Sequence, residues 1–376
     1  MARTDQMSGQ EEAATAAGDP AAAPVLARLS VLDRFLTVWI LLAMGVGLLL
    51  GRFVPGMRSV LDAVKVGQTS LLIAIGLLAM VYPVLAKVRY ERMGDLARDK
   101  RMLVLSLVLN WLVGPALMFT LAWVFLPDQP AYRTGLIVVG LARCIAMVLI
   151  WNDLACGDRE AGALLVAINS LFQIVGYALL GTFYLKWLPE WLHLGGAADV
   201  HFSTWGITKA VLIFLGIPLV LGYLTRRTGL AVRGERWYRE RFLPKISPVA
   251  LYGLLFTIVV LFALQGDTIV SRPVDVVRVA LPLVCYFAIM WSMSFLVSRR
   301  VGLSYERTAT VAFTAAGNNF ELAIAVAVAM WGVTSGQALA GTIGPLIEVP
   351  VLVALVYVAL WLRRRAGARV LDTMRG

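Results

Sequence analysis

Ten apolar stretches, each long enough to cross a bilayer, follow one another through this chain with only short connections between them. A helix needs about 20 mostly apolar residues to span hydrocarbon. Stretches of that kind lie at 33–51, 68–86, 102–125, 134–152, 160–185, 206–224, 247–265, 274–297, 306–331 and 338–362. Inside a bilayer the backbone has no water to bond, so spans of this length must be helical. The expected class is an all-α integral membrane protein with ten transmembrane helices. Charged residues make up 15% of the 376, against about 25% in soluble domains, because charge in hydrocarbon is expensive.

The net charge is +11. Its basic residues sit between apolar runs, which argues against nucleic-acid binding and for topology signals. With the N-terminus in the cytoplasm, 25 of the 34 Lys and Arg fall on the cytoplasmic side, six outside and three within spans. Both termini are then cytoplasmic, which requires an even number of spans. Residues 1–27 are Ala-, Gly- and Pro-rich and read as a disordered tail. They lack the basic start and apolar core of a signal peptide. Residues 366–376 form a short basic tail.

A repeat divides the rest into halves at 28–205 and 206–365. Leu48-Leu-Leu-Gly51 ends the first span as Leu219-Val-Leu-Gly222 ends the sixth. Tyr132-Arg-Thr134 opens the fourth as Tyr305-Glu-Arg-Thr308 opens the ninth, and Ile168-Asn-Ser-Leu-Phe-Gln173 answers Ile343-Gly-Pro-Leu-Ile-Glu348. The offsets are 171, about 174 and 175. Five spans per half is odd, so the second half enters from the opposite face, the inverted-repeat pattern of many transporters.

Polar residues inside the spans locate the chemistry. The fourth span reads Gly140-Leu-Ala-Arg143-Cys144-Ile-Ala-Met147 and runs on to Asn152-Asp153. An arginine about ten residues from either end is too deep to snorkel, so it faces a partner or a wet cavity. A structural pairing, with Glu321 among the candidates, and a substrate contact both remain open for Arg143. The ninth span carries Gly317-Asn318-Asn319-Phe-Glu321. This is the composition of an unwound turn, tolerated at membrane depth only where it lines protein or a cavity. An offset of 174 sets Cys144 on Asn318, so spans four and nine are expected to be discontinuous helices that cross at the midplane. Further intramembrane polar residues are Asn110, Asn169, Gln173 and Glu348. Interhelical hydrogen bonding is the default for Asn110, and Glu348 is a candidate second titrating group.

The three cysteines, Cys144, Cys156 and Cys285, have no metal-site spacing. Cys285 reads as core and Cys156 as incidental. Cys144 follows a buried cation, which favours its thiolate form and hence a soft, thiophilic substrate. No HExxH motif, no nucleophile with a paired base and no sizeable soluble domain points to an enzyme, and no cofactor is indicated.

The segments Gly140-Leu-Ala-Arg-Cys-Ile-Ala-Met-Val-Leu-Ile-Trp-Asn-Asp-Leu-Ala155 and Ala316-Gly-Asn-Asn-Phe-Glu-Leu-Ala-Ile-Ala325 resemble the arsenical-resistance-3 family of arsenite efflux permeases, of the bile acid/arsenite/riboflavin transporter superfamily. Ala86-Lys-Val-Arg-Tyr-Glu91 and Asn110-Trp-Leu-Val-Gly-Pro115 add to the likeness, which runs from about residue 29 to 365. It implies five-plus-five inverted repeats, panel and core domains, and proton-coupled export of arsenite, in some members antimonite. It puts the essential thiol at Cys144, the arsenic contact, and the essential membrane carboxylate at Glu321. A cell membrane, plasma or bacterial inner, suits such an exporter. The alternative is a sodium-coupled organic-anion symporter of the bile-acid branch, with Asn318, Asn319 and Glu321 as oxygen ligands and Arg143 holding the anion. The Arg143-Cys144 pair disfavours it, since such a site has no use for a thiol.

Overall fold

The computed structural model describes residues 35–54, 65–66, 69–92, 99–145, 147–194, 203–271 and 273–375. The 1–27 tail lies outside them. The described chain is helical apart from a two-residue ribbon, Lys65–Val66 against Thr69–Ser70. The helices are α1 Leu36–Phe53, α2 Leu71–Lys87, α3 Lys100–Phe125, α4 Pro130–Leu141, α5 Met147–Leu154, α6 Arg159–Trp191, α7 204–237, α8 Leu243–Ser271, α9 Pro273–Arg300, α10 Tyr305–Ala316, α11 Phe320–Trp331 and α12 Gly336–Arg375. The last helix continues unbroken through the segment expected as a basic tail.

Among the described residues, five helical stretches are long and apolar enough to cross a membrane, with shorter apolar helices beside them. One of the five, Thr204–Gly266, has 63 residues. At 1.5 Å per residue it would reach about 95 Å if straight, some three times the hydrocarbon thickness. It bends instead at Gly234, whose φ of 78° is open to glycine and strained for other residues. The chain thus turns back, and α7 and α8 both lie along α2.

Local chemistry sets the helix starts. Asp99 caps α3 through the Met102 amide, Asp158 caps α6 through Glu160 and Ala161, and Ser304 caps α10 through Arg307. Helix α3 carries a π-helical turn at Leu109–Val113, within the Asn110–Pro115 motif.

The helices sort into a layer and a bundle. In the layer, α1 lies on α8, α8 on α2, and α2 on α7. Glycines bring these backbones into contact: a Cβ on Gly47 would stand 2.6 Å from the Val259 carbonyl, and one on Gly253 2.8 Å from that of Gly76. Close approach through small residues is how membrane helices associate without a hydrophobic drive. The bundle holds α3 to α6 and α9 to α12, and its innermost members are the four short helices α4, α5, α10 and α11.

Candidate functional site

Helices α4 and α10 both stop in mid-protein, and the chain crosses itself at the two breaks. Past Leu141 and Ala316 the backbone is extended at the caps Ala142 and Gly317. The extended segments meet antiparallel, Arg143 opposite Asn318. Cys144 donates its N–H to the Gly317 carbonyl at 3.2 Å, and Asn319 donates to Ala142 at 3.0 Å. Backbone groups freed by breaking each helix are thus satisfied by the other break. Matching the two caps gives an offset of 175, which sets Cys144 against Asn319 rather than Asn318, one residue from the expected register.

Arg143 is fully buried. Its guanidinium donates to the Gly140 carbonyl at the end of α4, to the Ala315 carbonyl at the end of α10 at 3.2 Å, and to the Tyr286 hydroxyl at 2.9 Å. Both carbonyls belong to helix C-termini, the negative ends of the helix dipoles, where a cation is favourable. One side chain therefore caps two half-helices. No ion pair joins it to Glu321 among the described residues. Gly114, just past the π turn, makes room for it, since a Cβ there would lie 2.8 Å from Nη1.

The second half-helices begin with side-chain acceptors. Asn319 Oδ1 accepts the Leu322 amide at 3.0 Å, and Cys144 Sγ accepts the Val148 amide at 3.3 Å. The thiol is 4% exposed and sits at the positive end of α5. Several polar atoms around the crossing are buried and have no hydrogen-bond partner among the described residues: Asn318 Oδ1, Asn319 Nδ2, Gln173 Nε2 and Arg143 Nε. Such atoms are uncommon in native structures, and four of them gather at the crossing. The other Asn318 atom, Nδ2, donates to Val139 at 3.0 Å. Gln173 Oε1 accepts the Arg143 amide at 2.5 Å, and Glu348, 2% exposed, accepts the Asn318 amide at 3.3 Å. Glu321 stands in the first turn of α11, two residues past Asn319.

The remaining predicted residues sit farther off. Asn110 and Asn169 bond each other at 3.5 Å, and Asn169 accepts from Trp111 at 3.1 Å. Asn152, at the far end of α5, accepts from Thr310 at 2.8 Å and so ties α5 to α10 a second time. Asp153 pairs with Arg159 at 2.7 Å. Four contributors were not singled out from the sequence. Tyr286 and Gly114 look like ordinary members of apolar spans, and the Gly140 and Ala315 carbonyls are backbone.

A cavity of about 360 Å³ lies in the seam between layer and bundle, walled by Met80 and Leu254 on one side and Met147 and Ile150 on the other. Glu321 closes one end; Lys87, Asp153 and the exposed Arg159 stand at the other. Beyond Glu321, Leu322 to Val328 are at most 3% exposed, so α11 is covered in that direction.

Apolar helices around a crossing of broken ones, with polar atoms at the crossing and a cavity beside it that reaches Glu321, define a multi-pass membrane transporter. The sodium bile acid symporter family profile matches residues 74–272. The chain is 60% identical to the arsenical-resistance protein Acr3 of Corynebacterium glutamicum over 89% of its own length and 90% of that protein's. It is 33% identical to an uncharacterized transporter of Synechocystis (89% and 91% covered) and 29% identical to Acr3 of Alkaliphilus metalliredigens (87% and 92% covered). The chain belongs to the sodium bile acid symporter family and, within it, to the arsenical-resistance Acr3 branch.

Proposed function

We propose that this protein exports trivalent arsenite across the cell membrane, in exchange for protons. One observation carries the reading: the crossing offers a single thiol beside amide atoms with unused hydrogen-bonding capacity and two carboxylates. Arsenite near neutral pH is chiefly As(OH)₃, a soft centre ringed by hydroxyls. Sulfur from Cys144 suits the arsenic. Asn318, Asn319 and Glu321 suit the hydroxyls. One sulfur also permits release, where three would hold the ion too tightly. Antimonite, with the same valence and softness, fits the same donors. Two relatives bear the name arsenical-resistance protein, which agrees with this substrate.

The architecture we infer has ten crossings, with α4–α5 and α10–α11 each counted once as a broken span. Residues 28–205 and 206–365 are its inverted halves, with tails at 1–27 and 366–376. The layer of α1, α2, α7 and α8 is the panel and the bundle is the core. The positive-inside rule puts the Lys87–Arg159 end and both termini in the cytoplasm. The seam cavity then faces inward. Arsenite enters it and reaches the crossing, where the Cys144 sulfur replaces one arsenic hydroxyl, which leaves as water with the thiol proton, and Glu321 gives up its own proton; water reverses the exchange at Cys144 when arsenite is released. The core moves against the panel and releases arsenite outside, and a proton returning through Glu321 and Glu348 resets the carrier. In this reading Arg143 holds the crossing together instead of binding substrate, and Asn110, Asn152, Asp153, Asn169 and Gln173 support it.

The family's name favours a second reading, sodium-coupled organic-anion uptake. The test is uptake into everted vesicles under an acid-inside gradient, with and without sodium. Arsenite accumulation without sodium supports the exporter. A strict sodium requirement, or no arsenite uptake, moves the assignment to the second reading.

A further inference from the structure

The 226–245 segment joins α7 to α8 across the end of α2. Tyr238 is fully buried and donates to the Ala86 carbonyl in the last turn of α2, and its ring packs against Gly229. The turn is thus pinned to the layer and does not hang free. Trp237 and Phe242 stack at 5.6 Å beside Tyr238. Aromatic residues of this kind gather at the boundary between hydrocarbon and water.

The segment holds seven cations, Arg226, Arg227, Arg233, Arg236, Arg239, Arg241 and Lys245, and two carboxylates, Glu235 and Glu240. Arg226 is buried and bound to Glu91 at 3.0 Å. Burial works to raise that carboxyl, but its bonds with Arg226 keep it below the usual carboxylate range. Glu235 and Glu240 pair along the helix with Arg239 and Arg236. The other four cations lack an acidic partner among the described residues. Around the seam the pattern is different. Arg307 meets Asp99 at 2.5 Å, Arg159 meets Asp153 at 2.7 Å, and Arg89 meets Glu160 at 3.6 Å.

Depth selects among the four. The exposed apolar residues Val220, Leu221 and Leu224 of α7, and Val249 and Tyr252 of α8, mark the lipid-facing surface. Arg227 follows Leu224 by three residues, and Lys245 precedes Val249 by four. At 1.5 Å per residue these cations stand roughly 5–6 Å beyond the apolar surface, which is the depth of a headgroup layer about 5–7 Å thick on each side. Arg241, one helical turn farther out than Lys245, and Arg233, nine residues past Leu224, stand roughly 12–14 Å from that surface and so beyond the layer.

We propose that Arg227 and Lys245 form a docking surface for the headgroups of anionic phospholipids in the leaflet that the panel's basic end faces. A basic residue near an anionic surface favours it roughly fivefold, the equivalent of about 1 kcal/mol. Two flanking one pinned turn hold the panel in register with the bilayer, so that motion falls to the core. The assignment of leaflet rests on the orientation proposed above; the binding itself does not.

The test reads thermal unfolding of the purified protein in nanodiscs of phosphatidylcholine alone and with added phosphatidylglycerol. Both leaflets carry the same lipid, so neither orientation nor transport enters the result. The expected outcome is a rise in Tm with phosphatidylglycerol for the wild type. R227Q/K245Q should unfold like the wild type in phosphatidylcholine yet lose most of that rise. R233Q/R241Q, which removes the two unpaired cations that stand beyond the headgroup layer, should keep it. No rise in the wild type, an undiminished rise in R227Q/K245Q, or equal loss in both variants would overturn the proposal.

Discussion

At the first break the chain leaves α4 at Ala142 and starts α5 with a sulfur on the amide of Val148. At the second it leaves α10 at Gly317 and starts α11 with the Asn319 side chain on the amide of Leu322. The backbone does the same work in both places, an extended residue pair bonded to its counterpart across the crossing. The side chains do not. The first break brings a cation and a thiol; the second brings two amides. The cation serves both breaks, because its guanidinium caps the end of α10 as well as that of α4. A lone buried arginine is tolerable here because it lies against two helix C-termini and a tyrosine hydroxyl. The breaks are thus coupled in stability and divided in chemistry.

The strongest way to break that comparison is Arg143→Met. It leaves the carbonyls of two helix ends and the Tyr286 hydroxyl without their donor, so a loss of ~3 kcal/mol is expected. Thermal unfolding in detergent should show it, together with loss of transport. A loss no greater than that from a single cap would mean that Arg143 does not hold both breaks. Cys144→Ala comes next and separates chemistry from architecture. Arsenite uptake should drop on the order of 100-fold, equivalent to ~2.7 kcal/mol, while the unfolding temperature falls by less than on loss of the Asn319 cap, because sulfur is a weak acceptor. Cys285→Ala, outside the crossing, should transport normally.

The course of spans four and nine was legible in the sequence because a helix that carries Arg143 or Gly317-Asn318-Asn319 at mid-membrane cannot be an ordinary lipid-facing one. Cys144, Asn318 and Asn319 stood out for the same reason, and the structure brings them together. What Arg143 touches was not legible. Its acceptors are backbone carbonyls, which every residue has, and a tyrosine 143 positions away. Charge complementarity pointed to Glu321, yet at a helix end the backbone itself supplies the negative pole. The 175-residue register also escaped, since matching motifs left it uncertain by one position and only the caps decide it.

Asn319→Ala sharpens the comparison from the second side. It removes one cap, and a loss of ~1 kcal/mol is expected, about a third of the Arg143→Met effect in the same unfolding assay. Uptake should weaken without vanishing, since the thiol remains. The smallest effect belongs to Asn110→Ala, outside both breaks. Its bond with Asn169 joins α3 to α6, while that to Ser106 stays within α3, and interhelical contacts of this kind average ~0.6 kcal/mol in membranes. Arsenite uptake by that variant should stay close to wild type.

The central claim, that arsenic is held by one sulfur supplied by the first break and by oxygen or nitrogen from its surroundings, is tested most directly by arsenic X-ray absorption on the purified protein loaded with equimolar arsenite. The account predicts a single arsenic–sulfur contact with oxygen completing the shell, retained in Cys285→Ala and absent in Cys144→Ala. A shell of oxygen alone in the wild type, a shell of several sulfurs, or a sulfur contact that survives Cys144→Ala would contradict it.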